Sequence, residues 1–109
     1  MKRAMLPLNA LRAFDAAARN LSFKQAAEDL AVTPAAISQQ IRHLEEVIGR
    51  DLFVRSNRSL KLTEWGEAAK DEVAEAFASL ELATSTMKTL PPAINQPPVG
   101  ASNVYRLSA

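Results

Sequence analysis

Ser38, Gln39 and Arg42 form a polar cluster at helical spacing in this 109-residue chain. All three can hydrogen-bond to a base edge or a phosphate. On a helix they share one face, opposite an apolar stripe of Ile37, Ile41, Leu44 and Ile48 at i, i+4, i+7 and i+11. Thr33 can cap that helix and Pro34 can occupy its first position, where a missing N–H costs nothing. An α-helix fits the major groove of duplex DNA, where each base pair displays its own pattern of donors and acceptors. A simple solvated helix face is the competing reading of the same residues.

Such a helix must be held by neighbours, and the preceding residues supply one. Ser22 and Gln25 have the spacing of a capping box. Ala26, Ala27 and Leu30 then fall on one face, with Glu28 and Asp29 on the other. Ala31 and Val32 make the turn, and small residues at 26, 27, 35 and 36 let two helices cross closely, as a helix-turn-helix requires. Ser22, Phe23 and Lys24 open the first of the pair, where free backbone N–H groups suit a phosphate; for Ser22 this comes in addition to capping. An earlier helix is expected over about residues 9–19, with Asn9 as candidate cap and Leu11, Phe14, Ala17 and Ala18 inward. Asn20 and Leu21 turn the chain, and Gly49 closes the third helix. Leu52-Phe53-Val54 and Leu60-Lys61-Leu62 read as two short strands around the turn Ser56-Asn57-Arg58-Ser59, a wing flanked by Arg55 and Arg58. Two strands alone are marginal and must lean on the helices. Phe14, Phe23, Leu30, Ile37, Ile41, Leu44, Phe53 and Trp65 are assigned to the core. His43 is read as a surface residue with a minor phosphate role.

Thr63 is the expected cap of a long helix to about Lys88, with Glu64 and Glu67 in the first turn where the dipole favours acids. Val73, Phe77, Leu80, Thr84 and Met87 recur at spacings of four, three, four and three, the period of a coiled coil. We read this seam as a dimer interface; the alternative is that it packs on the chain's own globular part. Residues 91–109 hold four of the six prolines and almost no charge, the composition of a disordered tail. Residues 1–62 form the DNA-binding unit, 63–90 the linker helix and 91–109 the tail. Lys and Arg outnumber Asp and Glu ten to six in residues 1–62, whereas in residues 63–90 they number two against six. A basic front joined to an acidic helix suits a polyanion at one end. The chain has no cysteine, and its one histidine stands without metal-ligand neighbours. No nucleophile, base and orienter cluster is present, so neither an enzyme, a metal nor a cofactor is expected. With no signal peptide or membrane-spanning run, a soluble cytoplasmic protein is expected.

The stretch LNALRAFDAAARNLSFKQAAEDLAVTPAAISQQIRHLEEVIG, followed by LFVRSNRSLKLTEWG, resembles the N-terminal region of LysR-type transcriptional regulators, nearest the branch with the glycine-cleavage and β-lactamase activators. The resemblance spans residues 6–90. It implies a mainly α winged helix-turn-helix, three helices plus a two-stranded wing, followed by a long helix through which two subunits pair. By the match and by docking geometry, Thr33, Pro34, Ala35, Ser38 and Gln39 face bases and Arg42 meets a phosphate. Arg55 and Arg58 match family arginines that reach the backbone and the adjacent minor groove, with Lys61 a weaker companion. Family precedent points to a homodimer on an interrupted A·T-rich inverted repeat. Members usually continue into an effector-binding domain, which is missing here, so no small-molecule ligand is expected. The alternatives are an effector-less protein that pairs with a full-length related regulator and modulates it, or a fragment of such a regulator.

Overall fold

The computed structural model describes residues 5–89, so the expected tail over 91–109 lies outside the described residues. The elements run α1 (Leu8–Asn20), α2 (Phe23–Leu30), α3 (Pro34–Ile48), β1 (Phe53–Ser56), β2 (Ser59–Leu62) and α4 (Glu64–Thr89). Each helix boundary has a local cause. Ser22 and Thr33 are extended residues whose hydroxyls accept from the N–H groups of Gln25 and Ala36, both at 3.1 Å. Gln25 makes no return bond, so half of the expected capping box forms. Asn9 is not a cap: α1 starts after Pro7, whose carbonyl accepts from the Leu11 N–H at 2.9 Å, and Asn9 lies inside the helix. The helices close on left-handed residues, Leu21 (φ 49°), Ala31 (φ 56°) and Gly49 (φ 79°). For the first two this conformation costs on the order of 1 kcal/mol, so surrounding packing must impose it.

The core sits where α1, α2 and α3 meet. Ala10, Ala13, Ala16 and Ala17 of α1 and Ala26 and Ala27 of α2 are buried, and their small side chains bring the backbones close. Phe14, Ile37, Ile41 and Leu44 fill the space between. The wing leans on this core through Phe53, whose ring lies 5.7 Å from that of Phe14 and 5.8 Å edge-on to that of Phe23. Its strands pair antiparallel from Phe53↔Leu62 to Ser56↔Ser59, which leaves Asn57 and Arg58 as the two-residue turn. The first strand therefore begins one residue later than expected. Leu52 is buried ahead of it, and its N–H is taken by a side chain instead of the opposite strand.

One residue assigned to the core is not in it. Trp65 is 45% exposed, because on the first turn of α4 it points outward and packs under the Arg50 guanidinium at 4.6 Å. Ile48, at the end of its stripe, is also half exposed because α3 outlasts its neighbours there. The start of α4 is tied down closely. Thr63 donates its hydroxyl to the Asp51 carbonyl at 2.6 Å and its N–H to that of Leu52 at 3.0 Å, while its oxygen caps the Gly66 N–H at 3.2 Å. Gly66 is buried, and a Cβ there would stand 2.4 Å from the Leu52 carbonyl oxygen. Only a glycine lets the helix start this near the backbone before the wing.

Candidate nucleic-acid interface

Three pieces of the molecule offer polar groups to a nucleic acid. The first is the start of α2. With Ser22 satisfying the Gln25 N–H, the N–H groups of Phe23 and Lys24 have no partner inside the helix, and they lie at its positive end. Ser22 and Phe23 are half-buried and Lys24 is exposed.

The second is α3. Its buried face (Ile37, Ile41, Leu44) turns the opposite face outward: Thr33, Pro34, Ala35, Gln39 and Arg42 are exposed and Ser38 is half-buried. The Thr33 cap and Pro34 fix the direction in which the helix starts. The left-handed Ala31 and the Val32 N–H bond to the Ala27 carbonyl (3.0 Å) fix its crossing with α2. A rigid, exposed helix start with one amide, two hydroxyls and small apolar neighbours can read base edges and thymine methyls.

The third is the wing. Arg58 occupies the exposed turn, braced by a 2.7 Å hydrogen bond between the Ser56 and Ser59 hydroxyls. Lys61 projects from β2 opposite Val54. Arg55 is placed differently. Its guanidinium lies 5.4 Å from the Phe23 ring centre and 3.5 Å from a Glu45 carboxylate oxygen.

Helical patterning of polar residues does not single out Glu45, yet it is 8% exposed and accepts from the N–H groups of Leu52 (2.8 Å) and Phe53 (3.3 Å). One signal was available. Residues 37, 41 and 45 are successive i+4 positions, so Glu45 stands on the apolar stripe itself.

The seam of α4 divides along its length. Val73 packs against the core and Phe77 is half-buried, whereas Leu80, Thr84 and Met87 are exposed, Met87 at 77%. The described residues contain no cluster of three or more His, Cys, Asp or Glu able to hold a metal ion, and no helix long and apolar enough to cross a membrane.

Residues 8–67 match the family described as bacterial regulatory helix-turn-helix protein, lysR family. The chain is 52% identical over 88 residues to the glycine cleavage system transcriptional activator of Escherichia coli K12, a match covering 81% of this chain and 29% of the relative. It is 52% identical over 79 residues to the HTH-type transcriptional activator AmpR of Providencia stuartii, covering 72% of this chain and 27% of that one. The chain thus spans under a third of the length of these curated relatives. Among solved structures it superposes on the BenM_DBD/benA site 1 DNA complex with a TM-score of 0.68 and 31% identity, over 74% of this chain and 91% of that one. For the CbnR_DBD–DNA complex the TM-score is 0.65 and the identity 26%, over 73% and 92% of the two chains.

Proposed function

Since the chain belongs to the lysR family of bacterial regulatory helix-turn-helix proteins, we propose that it binds duplex DNA sequence-specifically as a homodimer and thereby regulates transcription. The observation that carries this is the exposed polar face of α3, capped by Thr33 and set beside the open start of α2. The superposition on a DNA complex at 31% identity supports the same reading. On the reading proposed, α3 enters the major groove. Gln39 pairs through its amide with an adenine edge, Thr33 and Ser38 supply hydroxyls, and Pro34 and Ala35 pack on thymine methyls. Arg42 and the α2 start (Ser22, Phe23, Lys24) hold phosphates, and Arg58 with Lys61 reaches the flanking backbone and minor groove.

The homodimer reading is supported by the exposed end of α4, where Leu80 is 52% and Met87 77% exposed. Pairing two chains through the seam Val73, Phe77, Leu80, Thr84 and Met87 would set two α3 helices in successive major grooves about 34 Å apart, over an inverted repeat. Selection from a random-sequence duplex pool at physiological salt tests the proposal. Recovery of an inverted repeat supports it, and recovery of no motif, with only salt-sensitive general binding, refutes it.

A further inference from the structure

We propose that Glu45 is a positioning residue that joins the wing to the recognition helix and commits Arg55 to the protein, leaving Arg58 as the wing arginine directed at DNA. The inference rests on the DNA-binding reading for its function and on Glu45 geometry for its mechanism.

Glu45 is the one buried charged side chain among the described residues. A carboxylate withdrawn from water is tolerable only when its oxygens are filled by donors. Here one oxygen accepts from the Leu52 and Phe53 N–H groups and the other from the Arg55 guanidinium. The two backbone bonds join the C-terminal part of α3 to the entry of β1, so the wing does not hang only on its two-residue turn. Arg55 completes a closed circuit. Its guanidinium reaches back to Glu45 and sits over Phe23, and Phe23 meets Phe53 edge-on. The circuit passes through α2 and α3, which carry candidate DNA contacts, and through β1, which leads into the Arg58 turn, and holds them in one arrangement. Arg55 therefore has its counter-charge and its aromatic face within the chain. Arg58 takes part in none of the ion pairs among the described residues, so its charge is available to a phosphate.

Counterion release makes this measurable. Each phosphate neutralised contributes about −0.9 to the slope of log affinity against log salt. On a selected duplex, Arg58→Met is expected to flatten that slope by about 0.9 and Arg55→Met by less than half as much. Glu45→Gln keeps an acceptor for the wing amides but removes the charge that holds Arg55. It is expected to steepen the slope, and to have no such effect in an Arg55→Met background. That dependence on Arg55 separates release of the arginine from the general loss of a negative charge. In the free chain, amide exchange followed by NMR is expected to speed up about tenfold or more at Leu52 and Phe53 in Glu45→Ala, while Ile41 stays within about threefold, since losing one good hydrogen bond to a charged group has this magnitude.

Equal flattening by Arg55→Met and Arg58→Met would overturn the proposal, as would Leu52 and Phe53 amides indifferent to Glu45→Ala. If Glu45→Ala does not fold, Glu45→Gln decides: protection kept and slope steepened supports the assignment, and an unchanged slope overturns it. Should the chain bind no DNA at all, the exchange experiment still tests the Glu45 anchor, so the two readings fail separately.

Discussion

Replacing Gly66 with alanine perturbs the junction between the wing and α4 and tests the packing there without touching any proposed DNA contact. The added Cβ would lie 2.4 Å from the Leu52 carbonyl oxygen and 2.7 Å from a Leu62 methyl. The leucine methyl can turn aside. The carbonyl cannot, because it also accepts the Thr63 N–H at 3.0 Å, and the neighbouring Asp51 carbonyl holds the Thr63 hydroxyl. Restoring normal contact needs about 1 Å of movement. Against a carbonyl that cannot yield, overpacking costs about 2–3 kcal/mol, the upper part of its usual range, and the better helix propensity of alanine returns at most about 1 kcal/mol. A net loss of about 1–2 kcal/mol lowers the melting temperature by roughly 5–15 °C in a domain of this size. The geometry amplifies the effect. A shift of about 1 Å over the first turn tilts α4 by about 10°, which moves the far end of a 26-residue helix by about 7 Å. Thermal unfolding followed by circular dichroism at fixed chain concentration measures the loss. A melting temperature unchanged or raised in Gly66→Ala would mean that the Leu52 carbonyl does not approach Gly66 this closely.

Gln39→Ala should cost about 1–3 kcal/mol at one base pair of each selected half-site and little at the others, read as relative affinities for single-base variants of the duplex. Leu80→Glu places a charge on the exposed part of the α4 seam, and sedimentation equilibrium should report a shift from dimer to monomer with the helical signal of the globular part retained. Trp65→Ala should cost about 1 kcal/mol or less, since the ring is half exposed and loses chiefly its contact with Arg50, whereas Phe53→Ala should cost about 3–5 kcal/mol. Chemical denaturation of the two variants checks the contrast.

Much of this fold was legible because its signals are local. Caps at Ser22 and Thr33, Pro34 at a helix start and Gly49 at a helix end depend on neighbours within a few residues, and they place α2 and α3 almost to the residue. The outward placement of Gln39 and Arg42 follows from the same period that buries Ile37, Ile41 and Leu44. What escaped was set by contacts distant in sequence. Trp65 looked like core by its chemistry, yet it stays 45% exposed and packs under the Arg50 guanidinium. Glu45 looked like a solvated acid until the wing folded back and offered it two backbone N–H groups seven and eight residues on. Arg55 and Arg58 are three residues apart and indistinguishable in sequence, and only the Glu45 and Phe23 contacts separate their surroundings. Gly66 has no local reason to be glycine, because the Leu52 carbonyl that demands it lies fourteen residues away.

If two α3 helices, held at a fixed spacing, read one half-site each, affinity depends on the separation of the half-sites. Binding of the chain to duplexes carrying the selected half-sites at their natural separation, and at a separation lengthened by half a helical turn, about five base pairs, tests it most directly. The lengthened site should fall to the affinity of a single half-site, because the second helix then faces the wrong side of the duplex. Equal affinity for the two spacings would contradict it.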